Sequence, residues 1–141
     1  MINPYEMISR SALPALRAMV ARRLQEEYRM TQQQVAKRLG VTQASISNYS
    51  RHARGSMINL ETDAVVSGAA DKIALLLSSD PVSEAEAVNA MTEVCDYIRF
   101  NRLMCSLHQD LEPGYNVDTC AACEGVLTGK GFERLKLAVG H

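Results

Sequence analysis

Four cysteines and one histidine in the second half of the chain are spaced as metal ligands often are. The pattern is Cys95-x9-Cys105-x2-His108-x11-Cys120-x2-Cys123. Two ligands separated by two residues can reach one ion across a tight turn, so the last four side chains predict a tetrahedral site of three thiolates and one imidazole. A bound metal would also stabilise residues 105–131, a stretch with few aliphatic side chains.

The role of Cys95 depends on where its helix ends. If the helix ends near Arg99–Asn101, all four cysteines can converge, and four thiolates suit an iron–sulfur cluster. If Cys95 is instead a buried apolar residue, His108 becomes the fourth ligand, which suits zinc. The uneven spacing favours the iron–sulfur cluster, with zinc as the alternative. Two further possibilities are metal-free thiols and a Cys120–Cys123 disulfide, which no thioredoxin-like pattern supports.

A second group of residues, in the first half of the chain, is typical of a helix-turn-helix. Thr31 and Gln34 form a capping box at the start of one short helix. Gly40 supplies the left-handed conformation at its end, and Thr42 caps the next helix, which should run through about Arg51. The side chains that hold the pair together are the small Ala36 and the apolar Val35, Leu39, Val41, Ile46 and Tyr49.

The outer side of that next helix carries small, amide and hydroxyl side chains, which can enter a major groove. Gln43 and Asn48 suit adenine, and Ala44 can contact a thymine methyl group. Gln32 and Thr42, at the two helix starts, can approach phosphates. The predicted DNA contacts are Gln32, Thr42, Gln43, Ala44, Ser45, Ser47, Asn48, Arg51 and Arg54.

The charges of the two halves are opposed. Residues 1–55 hold nine Lys/Arg and three Asp/Glu, a formal charge of +6, whereas residues 56–141 hold six and thirteen, a formal charge of −7. A basic front half suits a phosphate backbone, and an acidic back half would be repelled by it. Arg51 and Arg54 should add salt-dependent affinity for DNA. Arg22 and Arg23, in contrast, can pair with the acidic residues Glu26 and Glu27 of their own helix instead of contacting DNA.

Helical periodicity is found along most of the chain, and no strand alternation is present. The predicted fold is therefore all-α, with a helix-turn-helix DNA-binding domain at 1–58 and a helical dimerisation and sensor region, containing a loop-rich Cys metal site, at 59–141. Ser83 and Glu86 predict a capping box, and Val88, Met91, Val94 or Cys95, and Ile98 predict a buried stripe. Helices are expected at 5–29, 32–39, 43–51, 63–78, 84–103 and 132–139.

Several short segments resemble the lambda-repressor-like (XRE-type) regulators, and in particular a group of predicted archaeal transcriptional regulators. That resemblance implies a DNA-binding domain followed by a Cys-containing C-terminal segment, which has a Cys or Cys-x2-Cys, then Cys-x2-His, then Cys-x2-Cys. A first Cys-x2-Cys pair is missing here because position 98 is Ile. The segments are Leu13-Pro-Ala-Leu-Arg17, Ala21-Arg-Arg-Leu24, Thr31-Gln32, Val35-Ala36, Leu39-Gly-Val-Thr-Gln43, Ile46-Ser47 and Arg54-Gly55.

Other functional classes are disfavoured. No apolar run approaches the roughly 20 residues that span a bilayer, and the start lacks the regions of a signal peptide, so a cytoplasmic location is expected. The catalytic motifs of metalloproteases, P-loop enzymes, dinucleotide-binding enzymes and α/β-hydrolases are absent, so we predict no enzyme and no small-molecule substrate. The expected partners are double-stranded DNA and a second copy of the chain. The predicted function is that of a sequence-specific DNA-binding transcriptional regulator, which senses redox or iron–sulfur status through a Cys-ligated cluster. The alternative is a helix-turn-helix regulator or a protein-interaction adaptor with a purely structural zinc site.

Overall fold

The computed structural model describes residues 1–50 and 58–123, and over these residues the chain is helical without strands. None of the described helices is both long and apolar enough to cross a bilayer. A π-helical turn at Ile8–Ala12 joins the first two helices, and a 3-10 turn at Val117–Thr119 follows the last. The helices are α1 Pro4–Met7, α2 Leu13–Glu26, α3 Gln32–Leu39, α4 Gln43–Ser50, α5 Ala64–Ser78, α6 Glu84–Phe100 and α7 Cys105–Leu111.

The predicted helix at 5–29 is present, but it ends three residues early. Its π-helical turn contains Ser11, whose buried hydroxyl donates to the Met7 carbonyl at 2.5 Å; such side-chain bonds compete with the regular helical ladder. After α2 the backbone of Arg29 is left-handed, with φ 53°. The Met30 N–H can then bond back to the Leu24 carbonyl at 3.0 Å, which closes the helix end.

Helix α5 confirms its prediction to within one residue. The Asp63 carboxylate caps it by accepting the backbone N–H groups of Val65 and Val66, both at 3.0 Å. Five apolar side chains that helical spacing places on one side of α5 are all buried. They are Val66, Ala70, Ile73, Leu76 and Leu77.

Helix α6 differs from its prediction in three respects. Its end lies at Phe100 rather than Leu103, because Arg102 adopts a left-handed conformation, with φ 58°, and the Leu103 N–H bonds back to Ile98. The predicted capping box is wrong, since the Ser83 side chain makes no cap hydrogen bond. Val88 was predicted to be buried but is 56% exposed.

The rest of the predicted α6 stripe faces inward, with one addition. Met91 is partly buried against the core, and Val94, Cys95 and Ile98 are buried. Ala87 is buried at the start of the helix, where Val88 was expected. The buried stripe of α6 therefore begins at Ala87 rather than at Val88.

One hydrophobic core extends across both halves of the described chain. Buried Leu24, Val35 and Ile46 belong to the same cluster as Ile73 and Ile98. Helix α5 packs on both α2 and α6, so it connects the first helices to the last. The boundary at residue 58 stays a prediction, but the core does not stop there.

An arginine network also joins the halves, and it corrects the expected pairing of Arg22 and Arg23. Both guanidiniums contact Glu61 at 3.1 Å rather than the acidic residues of their own helix. Arg23 is 9% exposed and also donates to Asp71 at 2.5 Å and Ser67 at 3.0 Å. Two of the nine basic residues thus hold α2 against the segment that leads into α5.

Candidate nucleic-acid interface and thiol cluster

The turn between α3 and α4 has the predicted geometry. The Gln34 N–H donates to the Thr31 hydroxyl at 3.2 Å, and the Thr31 N–H donates to the Gln34 carboxamide at 2.9 Å, which completes the capping box. Gly40 is left-handed, with φ 67°, and the next N–H, from Val41, bonds back to Ala36 at 3.0 Å. These local bonds set the angle at which α4 leaves α3.

Helix α4 is divided into a buried side and a polar side. Ile46 and Tyr49 are buried, at 0% and 6% exposure, and Val35 of α3 is also fully buried against the core. We call Gln43, Ala44, Ser47 and Asn48 the reading face, because spacings of three and four residues place them on one side of a helix. Gln43 and Ala44 are exposed, and Ser47 and Asn48 are half-buried.

Two predicted contact residues also shape the start of α4. The Thr42 hydroxyl accepts the Ser45 N–H at 3.1 Å and lies 2.9 Å from the Ser45 hydroxyl. Ser45 is therefore tied to the cap and is not on the reading face. Exposed Thr42 and half-buried Gln32 stand at the starts of α4 and α3, where backbone N–H groups can meet phosphates.

The basic residues of the first half are less available to DNA than their number suggests. Arg38 donates to the Ser79 carbonyl at 3.2 Å, and Arg10 lies 3.7 Å from Glu6. Helix α4, which carries the reading face, contains no Lys or Arg. Arg29 and Lys37 are exposed in the described part of the chain. The predicted phosphate contacts Arg51 and Arg54 lie outside the described residues, as does the predicted last helix at 132–139.

The structure brings three of the four cysteines together with the histidine. Cys105, His108, Cys120 and Cys123 line one cavity of about 40 Å³. Cys105 and His108 stand on α7, where a loop was expected, and their i, i+3 spacing places them on one helix side. Cys95 lines a different cavity and is 8% exposed, and its burial raises the pKa of the thiol to about 11.

We call Cys105, His108, Cys120 and Cys123 the thiol cluster. Two of its side chains, Cys120 and His108, already have partners. The Tyr115 hydroxyl donates to Cys120 Sγ at 2.8 Å, and the Tyr115 ring stacks on His108 with centroids 4.5 Å apart. Glu112 lies 3.0 Å from His108 Nε2, and this hydrogen bond is the main reason why the pKa of Glu112 falls to about 2. Burial raises the pKa of the Cys105 thiol.

Thiol and imidazole groups are suitable ligands for zinc, but in this structure the side chains of the thiol cluster are not arranged around one point as metal ligands would be. Among the described residues, no three His, Cys, Asp or Glu side chains are grouped so that they could hold one ion. Two arginines approach the thiol cluster from α6 and the turn after it. Arg102 donates to the Cys120 carbonyl at 3.0 Å and to the Val117 carbonyl, and Arg99 donates to the Ala122 carbonyl at 3.4 Å.

Comparison with known proteins supports the first half of this site. Residues 14–63 match the ParB HTH domain, a span that contains α3, α4 and the turn between them. This span contains a helix-turn-helix DNA-binding domain. No curated protein and no solved structure matches the chain. The narrower resemblance to XRE-type archaeal regulators stays a prediction.

Proposed function

We propose that this protein regulates transcription as a homodimer that reads double-stranded DNA with α4. The observation that carries the proposal is the uncharged, partly exposed reading face within a span that matches the ParB HTH domain. Amides and small side chains on such a face can contact base edges in a major groove. Two copies would present two reading helices to half-sites about 34–36 Å apart, one turn of the duplex.

The test is selection of a binding site from a random duplex library, followed by fluorescence anisotropy with the selected site. Gln43→Ala and Asn48→Ala should each weaken binding by about 1–3 kcal/mol, the usual value of a good side-chain contact with a base. Gln33→Ala is the matched control, because Gln33 is an exposed amide on α3 outside the reading face. If specific binding survives both α4 substitutions unchanged, α4 is not the reading helix.

The proposed homodimer is tested with the complex of the protein and the selected DNA duplex. Sedimentation with a saturating duplex should give two chains per selected site, and the site itself should be a palindrome, because a two-fold dimer reads symmetric half-sites. One chain per asymmetric site would exclude the dimer and leave the assignment of α4 intact.

We also propose that Cys105, Cys120 and Cys123 bind a metal ion, with His108 as the fourth donor. Support comes from the four donors that share one cavity, whereas Cys95 lies elsewhere. The Tyr115 hydroxyl must leave Cys120, while Glu112 can stay on His108 as the outer partner that orients an imidazole ligand.

Zinc is the favoured ion. Three thiolates and one imidazole are a donor set that structural zinc sites commonly use, whereas iron–sulfur clusters are mostly held by four thiolates. When bound, zinc would cross-link α7 to the segment after the 3-10 turn. The protein would then respond to whatever removes the metal or oxidises its thiolates.

The metal is identified by assaying zinc, iron and sulfide in protein purified without oxygen. One zinc per chain, lost in Cys120→Ser but kept in Cys95→Ser, would support the proposal. Iron and sulfide in equal amounts with a broad visible absorption would instead make the protein a cluster-based redox sensor. Retention of metal only when Cys95 is present would exclude our ligand set.

A further inference from the structure

A second cavity, of about 380 Å³, lies between the N-terminal helices and α6. Its volume is within the usual range of small-molecule sites. Apolar side chains form most of its lining, including Ile8, Leu13, Val88 and Met91. The π-helical turn, which supplies Ile8, is part of its wall, and such turns occur frequently at functional sites.

Two arginines of this cavity have unused hydrogen-bond donors. Arg17 is half-buried and makes no hydrogen bond or ion pair with any described residue. Arg99 is 8% exposed, and its buried Nε has no partner within the described residues. A buried donor without a partner is costly and rare in native proteins. The orphaned Nε of Arg99 indicates that a group outside the described residues completes the site.

The cavity also holds one carboxylate, which only partly offsets the charge of the two arginines. Asp96 lines it, but no ion pair joins Asp96 to Arg17 or Arg99 in the described structure. With two guanidiniums and one carboxylate, the cavity keeps an excess of positive charge. An anion with an apolar body would match both the charge and the lining.

We propose that this cavity binds a small organic acid. The carboxylate contacts Arg17 and Arg99, because guanidinium forks match the two oxygens of a carboxylate. The apolar body packs against Val88 and Met91. The Tyr5 ring, 70% exposed, covers the Arg99 guanidinium at 4.6 Å, so Tyr5 moves aside when the acid reaches Nε.

The first experiment is calorimetric titration of the full chain with 3-phenylpropanoate and 4-methylpentanoate. Each acid should bind saturably, while the isosteric amide, 3-phenylpropanamide, should not bind. Arg17→Gln should weaken acid binding about tenfold or more, as expected for the loss of a charged hydrogen bond. Arg10→Gln is the matched control, since Arg10 is an exposed arginine of the adjacent turn that does not line the cavity.

A second variant keeps the test decisive if the first is poorly folded. Val88→Trp places a large side chain at an exposed position of the wall and should abolish acid binding without unfolding the protein. The proposal is overturned if neither acid binds at millimolar concentration, or if both variants bind as the wild type does. It is also overturned if Val88→Trp dissociates a dimer, since the groove would then be a subunit interface. No arm of this experiment uses DNA, so its failure leaves the proposed function untouched.

Discussion

At the scale of single residues, Arg22 and Arg23 show how strongly burial changes the value of an ion pair. Both contact Glu61 at 3.1 Å, but the Arg22 side chain is 43% exposed and that of Arg23 only 10%. Removing Arg23 breaks the hydrogen bonds of a buried guanidinium to Glu61, Asp71 and Ser67, whereas the exposed Arg22 pair is screened by water.

We therefore expect Arg23→Ala to lower the free energy of unfolding by about 2–3 kcal/mol, and Arg22→Ala by less than about 1 kcal/mol. Urea unfolding followed by circular dichroism measures both. Equal effects would mean that the network around Arg23 adds nothing beyond a surface pair.

The turn between α3 and α4 depends on the left-handed backbone conformation of Gly40. Its φ of 67° is unfavourable for any side chain, although a Cβ would meet no atom within 4 Å. Gly40→Ala should cost about 1–2 kcal/mol through conformation alone. Gly114→Ala is the control, because a Cβ there has equal space and its φ is not in the left-handed region. A similar loss of stability at both positions would show that φ is not the cause.

Cys95 should be the least reactive thiol of the protein. With a pKa of about 11, only about one molecule in a thousand carries the reactive thiolate at pH 8. In protein treated with a chelator, iodoacetamide should label Cys95 last, and its rate should rise about tenfold per pH unit up to pH 10. Labelled peptides are measured by mass spectrometry, with urea-unfolded protein as the reference. Early labelling of Cys95 would contradict its burial.

At the scale of elements, the helix starts differ in whether their cap is formed. Thr31 makes both bonds of a capping box, whereas the Ser83 side chain makes no cap bond. Thr31→Ala should thus destabilise the protein by about 1 kcal/mol, and Ser83→Ala by a few tenths at most. Thermal unfolding of the two variants provides the comparison. A larger loss for Ser83→Ala would show that its cap forms in solution.

At the scale of the whole molecule, the shared core predicts that both halves unfold together. Ile73 of α5 is fully buried, and Ile73→Ala should cost about 2–5 kcal/mol. Because α5 packs on α2, amide hydrogen exchange should then accelerate in α2 and α4 as well as in α5. Val88→Ala, at an exposed α6 position, is the control. Unchanged exchange in α4 would mean that the predicted 1–58 domain is independently stable.

Local patterns in the sequence determined the helix-turn-helix. Thr31, Gln34, Gly40 and Thr42 act on neighbours within five residues, so their types and spacing are sufficient to predict the turn. The left-handed ends at Arg29 and Arg102 were missed for the same physical reason: neither position is glycine, so no local signal marked the end of its helix.

Only the tertiary structure decided which distant residues meet. It placed Cys95 in one cavity and the other thiols in another, exposed Val88, and paired Arg23 with Glu61 across 38 positions. The charge count of the first half could not foresee that several of its arginines contact other parts of the protein. Such contacts depend on how helices cross, and the crossing is set by the summed burial of many side chains, which no local spacing records.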